Sequence, residues 1–198
     1  MKIVGISCSP RKGKTTRTSL DNCIRAITEN YPEIKTEIID LAGMDLRGCI
    51  ACGHCMKNLE CSQKDGFNDI IPILKDPGLG GLIIATPVYL GTMSSQCKAF
   101  LDRTVMFRRN GFLFRDIVGG VMAVGGFRNG GQEAAILHVH SAMLVHDMIL
   151  VGDGKPGSHF GGTMWSGHPE GIKKDDPGLK TVENLGQRVA QVALKIHG

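Results

Sequence analysis

The sequence has no long apolar run and few aromatic residues, which make up 5% of its 198 positions and include one tryptophan. No stretch approaches the roughly 20 apolar residues that span a bilayer. The amino-terminal MKIVGISCSP turns polar too early for the apolar core of a secretory signal. We therefore expect a cytoplasmic protein that does not insert into a membrane.

The excess of positive over negative charge is also small, since the formal net charge is only +4. A nucleic-acid-binding domain needs a coherent basic face, but the basic residues here form two separate groups without interleaved aromatics. The two groups are Arg11, Lys12, Lys14 and Arg17, then Arg103, Arg108 and Arg109. We therefore expect no nucleic-acid partner, and binding of a small anionic ligand accounts better for the first of these groups.

What the chain does have is a regular alternation of apolar runs with amphipathic segments. The apolar runs predict parallel strands and the segments between them predict helices. The result is an α/β fold of the flavodoxin-like, doubly wound type, with a five-stranded parallel sheet in three α/β/α layers. We expect one domain over 1–198, with a cysteine-bearing insertion at about 42–66 and a glycine-rich loop at about 152–178. Predicted strands are 2–9, 35–41, 78–89, 117–127 and 147–152.

A sheet of this kind binds its ligand at the carboxyl ends of the strands. Three loops fall there: 9–16, 86–94 and 125–131. In the first, CSPRKGKTT is close to the triphosphate-binding pattern G-x-x-x-x-G-K-S/T, but Cys8 replaces the first glycine. A single terminal phosphate needs only hydroxyls, positive charge and a helix N-terminus. Ser9, Thr15 and Thr16 supply the hydroxyls, and Arg11 and Lys14 supply the charge.

Two alternatives for this first loop stay open. One is the triphosphate site, although no N-K-x-D segment follows and the central strand ends in ATPVY without a carboxylate for a metal. The other is an ordinary turn in which Thr15 or Thr16 caps the helix.

All three loops resemble those of the flavodoxin-like NADPH-dependent FMN reductase family. GISCSPRKGKTTR resembles its phosphate loop, TPVYLGTMSSQCKAFLDR its second flavin loop and AVGGFRNGGQE its third. The resemblance implies a flavin-dependent oxidoreductase that binds FMN, with the phosphate held by the five residues named above. Seven further residues would frame the ring: Pro87, Val88, Tyr89, Leu90, Gly91, Gly125 and Gly126.

The remaining feature is a cluster of cysteines, GCIACGHCMKNLEC, with the spacing C-x2-C-x2-C-x5-C. Thiolates this closely spaced force a short loop to curl around one object, which suits a [4Fe–4S] cluster. Zinc and free or disulfide-paired thiols remain alternatives. The candidate metal ligands are Cys49, Cys52, Cys55 and Cys61.

This cysteine pattern resembles the iron–sulfur flavoprotein branch of the same family. That branch implies one FMN and one cluster, a ferredoxin-type electron donor, a small-molecule or protein acceptor, and a homodimer or homotetramer. Because the cofactors carry the chemistry, no catalytic side chain is expected. Two other functions remain open: an NAD(P)H-dependent FMN or quinone reductase without a cluster, and a non-enzymatic redox-sensing or zinc-binding electron carrier.

Overall fold

The computed structural model describes residues 1–198. The strands are β1 Lys2–Ser7, β2 Lys35–Asp40, β3 Leu79–Pro87, β4 Val118–Gly125, β5 Ile149–Val151 and β6 Gly162–Trp165. The α-helices are α1 Thr15–Asn30, α2 Phe67–Leu74, α3 Ser95–Arg103, α4 Val105–Arg109, α5 Gln132–Leu144 and α6 Asp176–His197. Two short 3-10 helices lie at His54–Met56 and Ile172–Lys174.

The sheet is parallel throughout, in the order β2-β1-β3-β4-β5. This confirms the predicted doubly wound architecture. Every residue of β3 and β4 is buried, as central strands covered on both faces require. The order reverses at β1, whose neighbours are β2 and β3, so the crevice at this point opens at the carboxyl ends of the strands.

Helices cover both faces of the sheet and bury two separate apolar layers. Helices α2, α3, α4 and α5 pack on one face, where Phe67, Phe100 and Ile136 are fully buried. Helices α1 and α6 pack on the other, around Leu20 and Leu185. Each such side chain contributes about 1.5–3 kcal/mol through burial. None of the helices combines the length and apolar character needed to cross a membrane.

The predicted glycine-rich loop at 152–178 was wrong in part. Strand β6 lies inside it and pairs in parallel with Met122–Gly125 of β4, while β5 pairs with Val118–Gly120. The outer position of the sheet is therefore shared by two short strands, and six strands occupy five positions. Glycines 161 and 162 made this strand hard to predict, because glycine is unfavourable in strands. They are needed at this place since β4 and α6 approach the backbone too closely for a side chain.

Candidate functional site

The three predicted ligand loops lie side by side, because β1, β3 and β4 are adjacent strands. Hydrogen bonds connect the loops at their bases. The Ser94 hydroxyl donates to the carbonyl of Cys8 at 2.7 Å and accepts from the Cys97 amide at 3.1 Å. The Val88 amide donates to the carbonyl of Val124 at 2.9 Å. Ser94 therefore caps helix α3 and joins the end of β1 to the loop that follows β3.

The first loop ends in an uncapped helix. Helix α1 begins at Thr15, its N-cap residue is Lys14, and no side chain accepts a hydrogen bond from its first turn. The prediction that Thr15 or Thr16 caps this helix was therefore wrong. The amides of Thr15, Thr16 and Arg17 have no acceptor within the chain, and the first turn carries no acidic residue. Such a helix N-terminus attracts an anion through its free N–H groups and dipole.

The rest of this loop adds polar groups around that helix end. Ser9 is buried, and its hydroxyl accepts from the Arg11 amide at 3.1 Å. Gly13 has φ of +64°, a left-handed conformation that suits glycine and turns the chain into α1. The side chains of Arg11 and Lys14 are exposed. They form no ion pair, so both charges are available to a ligand.

The second loop is a tight turn that presents apolar side chains to solvent. Tyr89 and Thr92 exchange two main-chain hydrogen bonds of 2.9 and 3.1 Å, with Leu90 and Gly91 between them at φ of +48° and +77°. A left-handed leucine costs about 1–2 kcal/mol. Leu90 is fully exposed and Tyr89 is 42% exposed. The Thr92 hydroxyl also bonds His138 of α5 at 2.8 Å, which fixes the turn against that helix.

The third loop is shaped by a buried amide side chain. A Cβ atom on Gly125 would lie 2.5 Å from Nε2 of Gln132, so a larger residue there would have to displace this amide from its hydrogen bonds. Gln132 donates to the carbonyl of Phe127 at 2.7 Å and accepts from the Gly130 amide at 2.8 Å. A Cβ on Gly126 would meet nothing within 4 Å, and the Trp165 indole donates to the Gly126 carbonyl at 2.9 Å.

Two of these residues were missed by the sequence reasoning. Ser94 had a usable signal, because a serine directly before a helical pattern predicts an N-cap. Gln132 had none, since its partners in the loop and on β6 come together only in the folded chain.

The four candidate metal ligands lie in an irregular segment between β2 and α2. Cys49 and Cys52 are exposed, Cys55 and Cys61 are half-buried, and all four thiols are free. Together they line one cavity, whose far wall is formed by Arg103, Val105, Met106 and Arg109 at the junction of α3 and α4. No three His, Cys, Asp or Glu side chains converge closely enough to hold a single metal ion in this conformation.

Hydrogen bonds reach two of the four cysteines, Cys52 and Cys55. The Arg109 guanidinium donates to Sγ of Cys55 at 3.3 Å, and Asn110 donates to the Cys55 carbonyl at 2.9 Å. The pKa of Cys52 is lowered, first by its 3.0 Å contact with the Ser62 hydroxyl and then by the His54 amide. A lower pKa means more thiolate, which is the metal-binding form.

A buried ion pair closes the base of this segment. Arg103 donates to both oxygens of Asp65 at 2.9 Å and to the Arg47 carbonyl at 2.8 Å. The Arg47 amide also donates to Asp65 at 3.1 Å. Burial alone would raise the pKa of Asp65, but the hydrogen bonds from Arg103 and from the Arg47 amide outweigh it, so the pKa is lowered. The chain on either side of the cysteines is thus tied to the end of α3.

These residues fit an iron–sulfur cluster. A cluster ligated by four thiolates is anionic and accepts hydrogen bonds at its sulfurs. The cavity provides four thiols and two guanidinium groups. One buried guanidinium nitrogen, Nε of Arg103, has no partner in the chain.

Comparison with known proteins gives the class. A family model described as NADPH-dependent FMN reductase matches residues 1–162. The chain therefore belongs to this family of flavin-dependent oxidoreductases, and the predicted family is confirmed. A solved flavodoxin, WrbA-like protein from Agrobacterium tumefaciens shares the fold, with a TM-score of 0.62, 20% identity, and coverage of 98% of this chain and 97% of that one.

More similar relatives identify the branch. An iron–sulfur flavoprotein of Methanocaldococcus jannaschii is 42% identical over 192 residues, covering 97% of this chain and 97% of its own. An iron–sulfur flavoprotein of Methanosarcina thermophila is 36% identical over 192 residues, covering 97% and 95%. The chain is a member of the iron–sulfur flavoproteins.

Proposed function

We propose that this protein passes electrons between a [4Fe–4S] cluster and FMN, and from FMN to a small acceptor or a second protein. When bound, the two cofactors supply the redox chemistry, and the protein supplies binding, orientation and electrostatics. One observation carries the proposal: helix α3 connects the two candidate sites, with one at each of its ends. Ser94, its N-cap, joins two of the ligand loops, and Arg103, its last residue, lines the cysteine cavity.

The distance between the two sites follows from this helix. Its nine residues span about 13 Å at 1.5 Å per residue. Both ends of α3 are fixed by buried hydrogen bonds, at Ser94 on one side and at Asp65 on the other. The two sites therefore keep a constant spacing within one subunit.

In this proposal the first loop holds the FMN phosphate. The free amides of Thr15 and Thr16 and their hydroxyls donate hydrogen bonds, together with Ser9. Arg11 and Lys14 neutralise the roughly two negative charges of the phosphate. The absence of a capping side chain on α1 supports this role, because the phosphate takes the place of the cap.

The second and third loops frame the flavin ring. Pro87, Val88, Tyr89, Leu90 and Gly91 supply a rigid turn with an aromatic and an aliphatic side chain, both exposed. Gly125 and Gly126 supply backbone that a flat ring can approach. The amide of Gly126 has no acceptor in the chain, which supports a hydrogen bond to the polar edge of the ring.

The four cysteines ligate the cluster, and the electron donor is a ferredoxin-type protein. Cys49 and Cys52 are exposed, which supports electron entry from a transient protein partner on this side. Assembly as a homodimer or homotetramer belongs to the same proposal. It is supported by three exposed apolar side chains on α5 and just beyond it, Leu137, Leu144 and Val145.

The test is a visible spectrum of protein purified without oxygen, with flavin, iron and acid-labile sulfide assayed on the same sample. About one FMN and about four irons per chain are expected, as befits a four-cysteine cluster. Flavin with iron near zero would contradict the proposal.

A second experiment tests which electron donor reduces the flavin, because the name of the matching family specifies NADPH. Reduction of the bound flavin is followed under anaerobic conditions with reduced ferredoxin and, separately, with NADPH. The proposal predicts rapid reduction by ferredoxin that requires the cysteines. Rapid reduction by NADPH in a cysteine-free variant would instead support the cluster-independent reductase.

A further inference from the structure

Arg103 has an unusual place in the molecule. Its side chain is 1% exposed, and its terminal nitrogens are used by Asp65 and the Arg47 carbonyl. Its Nε is buried and has no hydrogen-bond partner. A buried donor left without an acceptor costs about 1–3 kcal/mol, and more when the group is charged. This donor therefore lacks a hydrogen-bonded acceptor in this conformation, and the side chain of Cys61 lies beside it.

The surroundings of Arg103 indicate what that acceptor is. Arg103 lines the cavity of the four cysteines, with Cys61 beside it. No carboxylate lines this cavity.

We propose that Arg103 is a positioning residue that donates its Nε–H to a sulfur of the iron–sulfur cluster and thereby raises the reduction potential of the cluster. This inference rests on the proposed function, since it requires the cysteines to hold the cluster. Reduction adds negative charge to the cluster, so a hydrogen bond to sulfur stabilises the reduced form more than the oxidised form.

The guanidinium is held rigidly enough for this role. Asp65 binds it with two parallel hydrogen bonds, and the ring of Phe67 lies 4.6 Å from its central carbon. These contacts fix the plane of the fork and so the direction of Nε–H. A lysine would keep the charge but has no planar fork, so it could satisfy Asp65 only by giving up the donor in the cavity.

The other cavity arginine differs in a way that makes it a useful comparison. Arg109 donates to Cys55 at 3.3 Å, but this contact is exposed to solvent. Water screens its charge and can replace its hydrogen bond. We expect Arg103 to affect the potential more than Arg109 does.

The experiment compares Arg103→Lys with Arg108→Lys in the complete, anaerobically purified protein. Arg108 lies near the same wall, but it donates to the Val145 carbonyl and stacks on Phe112, without contacting a cysteine. The cluster is titrated with a reductant, and its reduced form is counted by electron paramagnetic resonance. At a fixed potential, Arg103→Lys is expected to lower the ratio of reduced to oxidised cluster about tenfold, which corresponds to about 59 mV for one electron. Arg108→Lys should leave the ratio unchanged.

Equal ratios in both variants, with full iron content, would overturn the role of Arg103 while leaving the proposed function intact. Absence of iron from the wild-type protein would overturn both. If the Arg103→Lys variant loses its cluster, a second measurement tests whether Arg103 contacts the cluster. Protein carrying ¹⁵N only in arginine, in an Arg109→Lys background, is reduced and examined by pulsed paramagnetic resonance. A ¹⁵N coupling to the cluster is expected, and a loaded cluster without one would overturn the inference.

Discussion

The two proposed cofactor regions of this protein are built in opposite ways. The loops at the end of the sheet are positioned by main-chain register, and three adjacent buried strands set their spacing. The cysteine segment has almost no main-chain structure of its own. Between Asp45 and Asp65, only the amides of Met56 and Lys57 donate to a main-chain carbonyl. It is held instead by side chains, chiefly the buried pair of Asp65 and Arg103.

This difference shows what fixes the geometry of each site. The proposed flavin site is made of backbone at strand ends, and we expect it to form before the ligand arrives, because the sheet core supports it. A cysteine site held by one ion pair and a few side-chain bonds reaches its final geometry only with the cluster in place, since metal binding and folding are coupled at such sites. The two regions should therefore respond independently to mutation.

The largest expected effect comes from removing one ligand. Cys55→Ser should lower iron content more than tenfold while leaving about one FMN per chain, because the flavin loops do not depend on the cysteine segment. Iron, sulfide and flavin assays on the purified variant measure this. Cys97→Ala is the matched control, since Cys97 is buried on α3 and does not line the cavity. Loss of both FMN and iron in Cys55→Ser would show that the two regions do not respond independently to mutation.

Next in size is the ion pair at the base of the segment. Asp65→Asn leaves Arg103 buried and unpaired, which typically costs about 3–5 kcal/mol. We expect faster proteolysis within 45–66 and a lower free energy of unfolding by urea, with FMN affinity unchanged. Asp45→Asn is the control, because Asp45 is exposed and lies 3.9 Å from Arg47. Equal protease resistance of both variants would show that this pair does not close the segment.

The same carboxylate gives a pH dependence of known sign. The pKa of Asp65 is lower in the folded protein than its ordinary value of about 3.9. Its contribution to stability is therefore complete above about pH 4 and is lost as the pH falls further, because the unfolded chain takes up the proton first. Urea unfolding between pH 6 and 3 should show this loss in the wild type, and Asp65→Asn should lack that component.

A smaller effect is expected at the third loop of the proposed flavin site. Gly126→Ala adds a methyl group that meets no atom of the chain within 4 Å, so the stability of the flavin-free protein should not change. If the ring packs against this backbone, the Kd for FMN should rise about tenfold, or about 1.4 kcal/mol. Fluorescence titration measures it. Unchanged affinity would place the ring elsewhere. Gly125→Ala serves as the contrast, because it strikes Gln132 and should lower stability even without FMN.

The smallest effect concerns strain in the cysteine segment. Ala51 has φ of +54°, a left-handed conformation that costs an L-residue about 1–2 kcal/mol. Ala51→Gly removes this strain, and the higher entropy of the unfolded chain, about 0.4–1 kcal/mol, offsets only part of the gain. The free energy of unfolding by urea should therefore rise by at most about 1 kcal/mol. Ala26→Gly, inside helix α1, should lower the free energy of unfolding by about 1 kcal/mol. An equal decrease for Ala51→Gly would show that the backbone at Ala51 is not strained.

The parts of the molecule that the sequence predicts are those that rest on local pattern. Runs such as LGGLIIATP predict a central strand because both its faces are apolar, and glycine-rich or hydroxyl-rich segments after three such strands locate the ligand loops. The spacing of the four cysteines likewise puts them in one short segment, and the structure brings them to one cavity.

What could not be predicted depends on partners distant in the chain. Arg103 and Asp65 are 38 positions apart, and nothing in either neighbourhood marks them as a buried pair. Strand β6 is short and begins with glycine, so only its register with β4 makes it a strand. The uncapped start of α1 also breaks a local rule that favours Thr at the cap, and such exceptions are expected where a ligand completes the structure.

The split outer strand has a consequence for how copies of this chain can associate. An uninterrupted edge strand offers a row of free amides and carbonyls on which another chain can add a strand. Here that edge consists of three residues of β5 and four of β6, separated by the bend of residues 152–161. No incoming strand could follow it in register for more than a few residues. Growth by sheet extension is thus blocked on this side of the sheet, and of its two edges only the six residues of β2 offer an uninterrupted strand.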